Sequence, residues 1–217
     1  MESRTTDYGI AVIGVGIAGG VRIRDTKALT SDGDITWSLK GFVSRFVYKY
    51  IERTLDIPDA DQLSMEDVLS RSDIDVLIIC TENNTHESII RQGLENNKHV
   101  LVEYPLAMSS SVAKELYQIA ENKGGLILHE ENIALLNSFK DELAAGGRWI
   151  KADINLMTGF HSKVCDPIAT EKPFIANVSL IETVYHLCGN VKVIGGEYVS
   201  SDSGFQAVAK LQTEDDR

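Results

Sequence analysis

Cysteine is scarce in these 217 residues. Cys80, Cys165 and Cys188 are an odd and scattered set. Such a set offers neither a disulfide framework nor metal-ligand spacing, which excludes a stapled secreted domain and points to a reducing compartment. Long apolar runs are also missing, since none approaches the ~18 residues a membrane helix requires. The opening Met1-Glu2-Ser3-Arg4 is acidic and polar, unlike a secretory leader. A cytoplasmic protein with no membrane partner is expected. Positive charge is in deficit as well: 21 Lys and Arg against 32 Asp and Glu leave a net charge of -11. With no basic stripe, nucleic acid and anionic membranes are excluded as partners. An anionic small molecule is not excluded, because it needs only a local field. There is no internal repeat and no low-complexity segment. A hydrophobic share of 43% supports a packed core, and the length suits one large or two small domains.

What is present begins at residue 8. Tyr8-Gly9-Ile10-Ala11-Val12-Ile13 reads as a buried strand, and Gly14-Val15-Gly16-Ile17-Ala18-Gly19 follows directly, opening a helix over 17–29. The G-x-G-x-x-G spacing has a physical basis. Gly14 allows the tight turn out of the strand, Gly16 lets a pyrophosphate approach the backbone, and Gly19 lets the helix pack on the strand. The free N–H groups of the helix start then face the phosphates. Residues 14–19 are therefore candidate cofactor contacts, the alternative being an ordinary glycine-rich turn.

A polar turn over 31–34 leads to a second strand, 35–43, ending Ser44-Arg45. A carboxylate at this strand end selects a ribose 2′-hydroxyl, whereas Ser or Arg accommodates a 2′-phosphate. Ser44 and Arg45 accordingly point to NADPH, with NADH possible if Arg45 is only a solvated loop cation. Residues 51–61 read as a loop. Ser64-Met65-Glu66-Asp67 reads as an N-cap with early acids, opening a short helix to Ser70. The apolar run 75–80 is a two-face-buried parallel strand. It empties into the loop holding Thr81, in which Asn83 or Thr85 caps a helix to about residue 96. Strand 99–103 stops at Tyr104-Pro105. A helix over 109–123 ends at Gly124-Gly125, then come a strand over 126–129 and a helix over 133–145. Alternating β and α units predict a doubly wound parallel sheet of Rossmann type, an α/β fold, over residues 1–130.

The rhythm changes afterwards. A strand over 149–160, a helix over 179–187 stopping at Cys188-Gly189-Asn190, and strands over 191–199 and 205–213 make a thin α+β domain, 131–217. Its open sheet has an unpaired edge and an uncovered face. It reads as an incomplete domain, cut short or completed by a partner. The edge makes dimerisation a fair expectation, although the oligomeric state is otherwise unspecified.

Four stretches together resemble the animal (A) type biliverdin reductases, within the glucose-fructose oxidoreductase/inositol dehydrogenase superfamily. They are 14–25, including Arg22-Ile23-Arg24-Asp25, then Gly41-Phe42-Val43-Ser44-Arg45, His99-Val100-Leu101-Val102-Glu103-Tyr104-Pro105 and Leu128-His129-Glu130-Glu131-Asn132. The wider superfamily usually carries Glu-Lys-Pro where this chain has Glu103-Tyr104-Pro105. The resemblance is dense over 8–136 and weaker beyond, and chains of that family extend further. It implies a reductase of haem catabolism that moves a hydride from NAD(P)H to the central methine bridge of biliverdin, giving bilirubin.

The residues offer few candidates for that chemistry. Tyr104, at a strand's carboxyl end, either orients substrate or packs over Pro105, and a phenol of ordinary pKa ~10 is a poor acid at neutral pH. Glu103 either hydrogen-bonds the nicotinamide ribose or pyrrole N–H groups, or is a strand-end carboxylate. Glu130 or Glu131 faces the pocket while the other starts a helix. No metal site is expected from His129 and these acids. By resemblance, His86 occupies a superfamily position near the cofactor; the plainer reading is a first-turn histidine. One departure stands out. Leu180 falls where the family's substrate-facing arginine is expected. Glu182 and His186, one turn apart, can pair, and Arg148 and Lys163 are spare cations. A non-catalytic NAD(P)-binding regulatory paralogue and a sugar or cyclitol dehydrogenase are the alternative functions.

Overall fold

A computed structural model describes residues 6–28, 31–45, 62–125, 127–129, 184–185, 188–201 and 204–213. The chain divides into two compact units, Met1–Glu130 and Glu131–Arg217.

In the first unit the strands are β1 (Thr6–Ile13), β2 (Ser31–Asp32), β3 (Ile35–Val43), β4 (Val76–Ile79), β5 (His99–Val102) and β6 (Ile127–His129). The helices are α1 (Ile17–Ala28), α2 (Met65–Ser70), α3 (His86–Glu95) and α4 (Ser110–Lys123). The sheet order is β2-β3-β1-β4-β5-β6. β1 pairs in parallel with β3 and β4, and β5 in parallel with β4 and β6. The parallel, doubly wound sheet read from the sequence is present, with one correction. Ser31-Asp32, expected within a turn, forms a short antiparallel edge strand on β3, because the Gly33 turn (φ 59°) folds it back on its neighbour.

Side chains alternate along each strand, so the sheet feeds two cores. Ala11, Ile13, Leu77, Ile79, Val100 and Val102 meet Val68 of α2, Ile90 and Leu94 of α3, and Leu116 and Ala120 of α4. On the other face Ile10, Val12, Phe42 and Ile78 meet Val15 and Ile23 at α1. Helix ends follow local rules. Ser64 Oγ accepts from Asp67 N at 3.0 Å while Ser64 N donates to Asp67 Oδ2 at 3.1 Å, a reciprocal capping box. Ser109 caps α4, which ends at the left-handed Gly124 (φ 69°). Neither Asn83 nor Thr85 caps α3 with its side chain, contrary to the sequence reading. A 3-10 turn, Asn83–Thr85, runs straight into α3, and the Thr85 hydroxyl bonds backward to Glu82 O and Thr81 Oγ1, both at 2.7 Å.

The amino ends of the strands are locked by polar groups. Lys98, 6% exposed, donates from Nζ to Arg71 O and Ile74 O, each at 2.7 Å. Arg71 grips Asp73 through two bonds of 2.8 and 2.7 Å. Those hydrogen bonds hold the Asp73 carboxyl down at about 2. Lys98→Met would leave two buried carbonyls without their donor, so it is expected to cost ~2 kcal/mol. The thermal midpoint should fall by roughly 4–8 °C, while dinucleotide affinity, measured by titration, stays within about twofold because the site lies at the opposite strand ends.

In the second unit β7 (Val191–Ser201) and β8 (Gly204–Thr213) form an antiparallel hairpin, with a register irregularity between Val193 and Gly195. Both strands extend into the 200–204 segment read as their polar connection. Val184, Tyr185 and Cys188 are helical, and Gly189 (φ 70°) donates its N–H to Tyr185 O at 2.8 Å. The strand expected over 149–160, the helix over 133–145 and the residues Glu130, Glu131, Arg148, Lys163, Leu180, Glu182 and His186 lie outside the described residues.

Candidate functional site

The carboxyl ends of β3, β1, β4 and β5 lie side by side, and strand order reverses at β1. In doubly wound sheets such a switch point opens a crevice. Gly14 turns the chain out of β1 with φ 92°, in the left-handed region that favours glycine. Its N–H bonds Val43 O at 2.8 Å. A Cβ here would sit 2.7 Å from Cys80 O. At Gly19 a Cβ would run into Gly14 O, so this glycine is what brings α1 onto the turn. Gly16 differs from both. A Cβ there meets nothing within 4 Å, so the backbone opens on free space in front of α1.

The first turn of α1 carries no acidic residue, and its leading N–H groups lack intrahelical partners by geometry. This end of the helix therefore favours an anion. Open space at Gly16, a helix start free of carboxylates and a turn that only glycine fits are what a dinucleotide pyrophosphate needs. Val15, counted with the cofactor contacts, is 6% exposed and packs its side chain into the core, so only its backbone can serve a ligand. Ile17 is 86% exposed and Ala18 is half-buried beside it.

The predicted specificity end sits beyond β3. Ser44 O accepts from Gln62 Nε2 at 3.2 Å. Arg45 Nη2 donates to Glu82 Oε1 at 3.0 Å across the ends of β3 and β4. The two side chains are 73% and 59% exposed, and an exposed pair of this kind exchanges its partner at little cost.

The other side of the crevice is built from β4 and β5. Glu103 continues β5, its N–H bonded to Ile79 O at 3.0 Å. Its carboxylate Oε1 accepts from Arg22 Nε on α1 at 2.8 Å, with side chains 13% and 24% exposed respectively. Cys80 Sγ lies 4.0 Å from the same oxygen. Tyr104 follows, half-buried, joined to Pro105 by a cis peptide. His86 is completely buried. Its Nδ1 faces Pro105 O at 2.9 Å and its Nε2 faces Thr81 O at 3.1 Å. The structure thus brings Gly14, Thr81, Glu103 and Tyr104 to one set of strand ends, with the His86 ring buried against Thr81 O and Pro105 O.

Two participants escaped the sequence reading. In the sequence Arg22 stands out only as part of a motif, and its pairing spans 81 residues, with no local signal to announce it. The one hint was its position a helical turn after Gly19. Cys80, at the last position of the apolar run, lies between the glycine turn and Glu103. Among the described residues no group of His, Cys, Asp and Glu is arranged to hold a metal ion, and no helix is long and apolar enough to cross a membrane.

Residues 8–131 match the oxidoreductase family described by an NAD-binding Rossmann fold. The chain is 36% identical over 216 residues to biliverdin reductase A of Mus musculus, an alignment covering 95% of this chain and 68% of that one. It is 34% identical to the Homo sapiens protein of the same name, with the same coverage. Among solved structures it is similar to biliverdin reductase from Synechocystis sp. PCC 6803, determined with biliverdin and NADP+. There the TM-score is 0.68 at 23% identity, over 96% of this chain and 69% of that chain. A variant of the 3-ketoreductase KijD10 from Actinomadura kijaniata gives a TM-score of 0.71 at 18% identity, over 97% and 68%. At such identities these two structures bear on fold alone.

Proposed function

This chain belongs to the oxidoreductase family with the NAD-binding Rossmann fold and is an NAD(P)-dependent oxidoreductase; we propose that it reduces biliverdin to bilirubin with NADPH. The observation that carries the reading is 36% identity to a biliverdin reductase A across 95% of the chain, with Glu103-Tyr104 at the crevice end of β5. When bound, NADPH supplies a hydride, two electrons with one proton, for the central methine carbon, and a second proton goes to a pyrrole nitrogen. The protein's part is placement. The α1 start and Gly16 receive the pyrophosphate, Ser44 and Arg45 the 2′-phosphate, and Thr81 lines the β4 end. Glu103 hydrogen-bonds the nicotinamide ribose. Tyr104 orients the tetrapyrrole from the end of β5 through its hydroxyl, acting as a hydrogen-bond donor rather than as a strong acid. Glu130, which follows His129 directly in sequence, is the further carboxylate offered by the resemblance.

Because the Arg45–Glu82 pair is exposed, a 2′-phosphate can take the place of the Glu82 carboxylate. Arg45→Ala is expected to raise the Kd for NADPH about tenfold and to change that for NADH by less than about twofold. Equal losses for both would place Arg45 outside the 2′-phosphate site.

The second reading, a nucleotide-binding paralogue that does not reduce, is favoured by Leu180, which can neither donate a proton nor neutralise a propionate. One assay separates the two. Purified protein is mixed with NADPH and biliverdin, and bilirubin absorbance is followed while NADPH binding is measured in parallel. Growth of bilirubin supports the reductase. Binding without turnover supports the paralogue.

A further inference from the structure

The Arg22–Glu103 pair joins α1 to the residue that follows β5. The buried side of α1 is made by Gly19, Ile23 and Thr26, while the Arg22 guanidinium reaches out of the helix to Glu103. What the guanidinium does fix is a carboxylate. Glu103 is mostly buried, at 13% exposure, and follows a strand whose end is pinned to β4.

The topology says which part of a dinucleotide comes here. Its pyrophosphate lies at the glycine turn and its adenine half at β3, which leaves the β4 and β5 ends to the nicotinamide half. A carboxylate alone in that position would meet an anionic cofactor and sample several rotamers. A planar Nε–H donor at 2.8 Å offsets its charge and selects one orientation.

We propose that Arg22 is a positioning residue, which orients the Glu103 carboxylate against the nicotinamide ribose and thereby sets affinity for that half of the cofactor. The inference rests on the cofactor placement proposed above and is independent of the tetrapyrrole.

The test is a double-mutant cycle on the full chain with Arg22→Met, Glu103→Gln and the double variant, plus Arg22→Lys. Each is titrated with NADPH and with adenosine 2′-phosphate 5′-diphosphate, which keeps the adenine half and pyrophosphate but lacks the nicotinamide riboside. Arg22→Met is expected to weaken NADPH about tenfold and the truncated ligand by less than about twofold. In the Glu103→Gln background it should add nothing, and Arg22→Lys should recover part of the loss. The thermal midpoint of each variant is recorded alongside. Equal weakening of both ligands, or a full Arg22→Met loss that persists without the Glu103 carboxylate, overturns the proposal. A wild type that binds only the truncated ligand tightly overturns it together with the cofactor placement. Binding is read without turnover, so a wild type that binds NADPH and makes no bilirubin removes the substrate reading while the cycle still decides the role of Arg22.

Discussion

Gly16→Ala is expected to leave the fold intact and to remove tight NADPH binding, whereas Gly19→Ala, three residues on, is expected to damage the fold itself. The contrast comes from what each new methyl would meet. At Gly16 it meets no protein atom within 4 Å, and Gly16 is not among the positive-φ glycines, so alanine can adopt its conformation. The change in stability should stay under about 1 kcal/mol. The methyl would, however, occupy the space through which a pyrophosphate approaches the backbone. A weakening of at least about tenfold, or ~1.4 kcal/mol, is expected for NADPH. At Gly19 the methyl would collide with Gly14 O, a backbone atom that cannot swing aside. Separating α1 from the turn should cost ~3 kcal/mol, with the thermal midpoint falling by roughly 6–12 °C. Thermal unfolding and NADPH titration of both variants check the pair. Unchanged affinity in Gly16→Ala would place the pyrophosphate elsewhere, and an unchanged midpoint in Gly19→Ala would remove the close contact assigned to it.

These glycines were legible from sequence because their roles are local. The strand, the turn and the helix that give the spacing its meaning all fall between Thr6 and Ala28. The same holds for the Ser64-Asp67 capping box and for the stops at Gly124 and Gly189, each settled by neighbours a few positions away. The antiparallel β2 was not legible, since two polar residues become a strand only when β3 lies beside them. The cap of α3 misled for a related reason. Thr85 has the right chemistry, but its hydroxyl is spent on Glu82 O and Thr81 Oγ1, partners supplied by the 3-10 turn ahead of the helix. Arg22 and Glu103 are the extreme case. Nothing in either neighbourhood names the other, and only the folded sheet brings these two residues, 81 positions apart, together. Sequence thus shows which residues fall at strand ends more readily than which of them touch.

His86 shows how much that difference matters, and its replacement is the second large effect expected. The resemblance placed it near the cofactor. The structure buries it completely, between Thr81 O at 3.1 Å and Pro105 O at 2.9 Å. Those two carbonyls belong to the loops leaving β4 and β5, the loops that carry Thr81 and Tyr104 into the crevice. The imidazole is therefore a clamp between them: in either neutral tautomer its single N–H donates to one carbonyl while the ring packs against the other, and only the imidazolium donates to both. His86→Ala would open a cavity and remove the ring N–H that donates to one of these carbonyls. A loss of ~3 kcal/mol follows from those two effects, seen as a thermal midpoint lower by roughly 6–12 °C. NADPH affinity should fall with it, because Thr81 and Tyr104 lose their fixed spacing. A cofactor ligand would behave differently, losing affinity with the midpoint held. His86→Gln sharpens the distinction. Its amide N–H can replace one of the two contacts, so its midpoint and its affinity should both lie between those of the wild type and of His86→Ala. Movement of affinity alone across the three proteins would return His86 to the cofactor's surface and set the clamp aside.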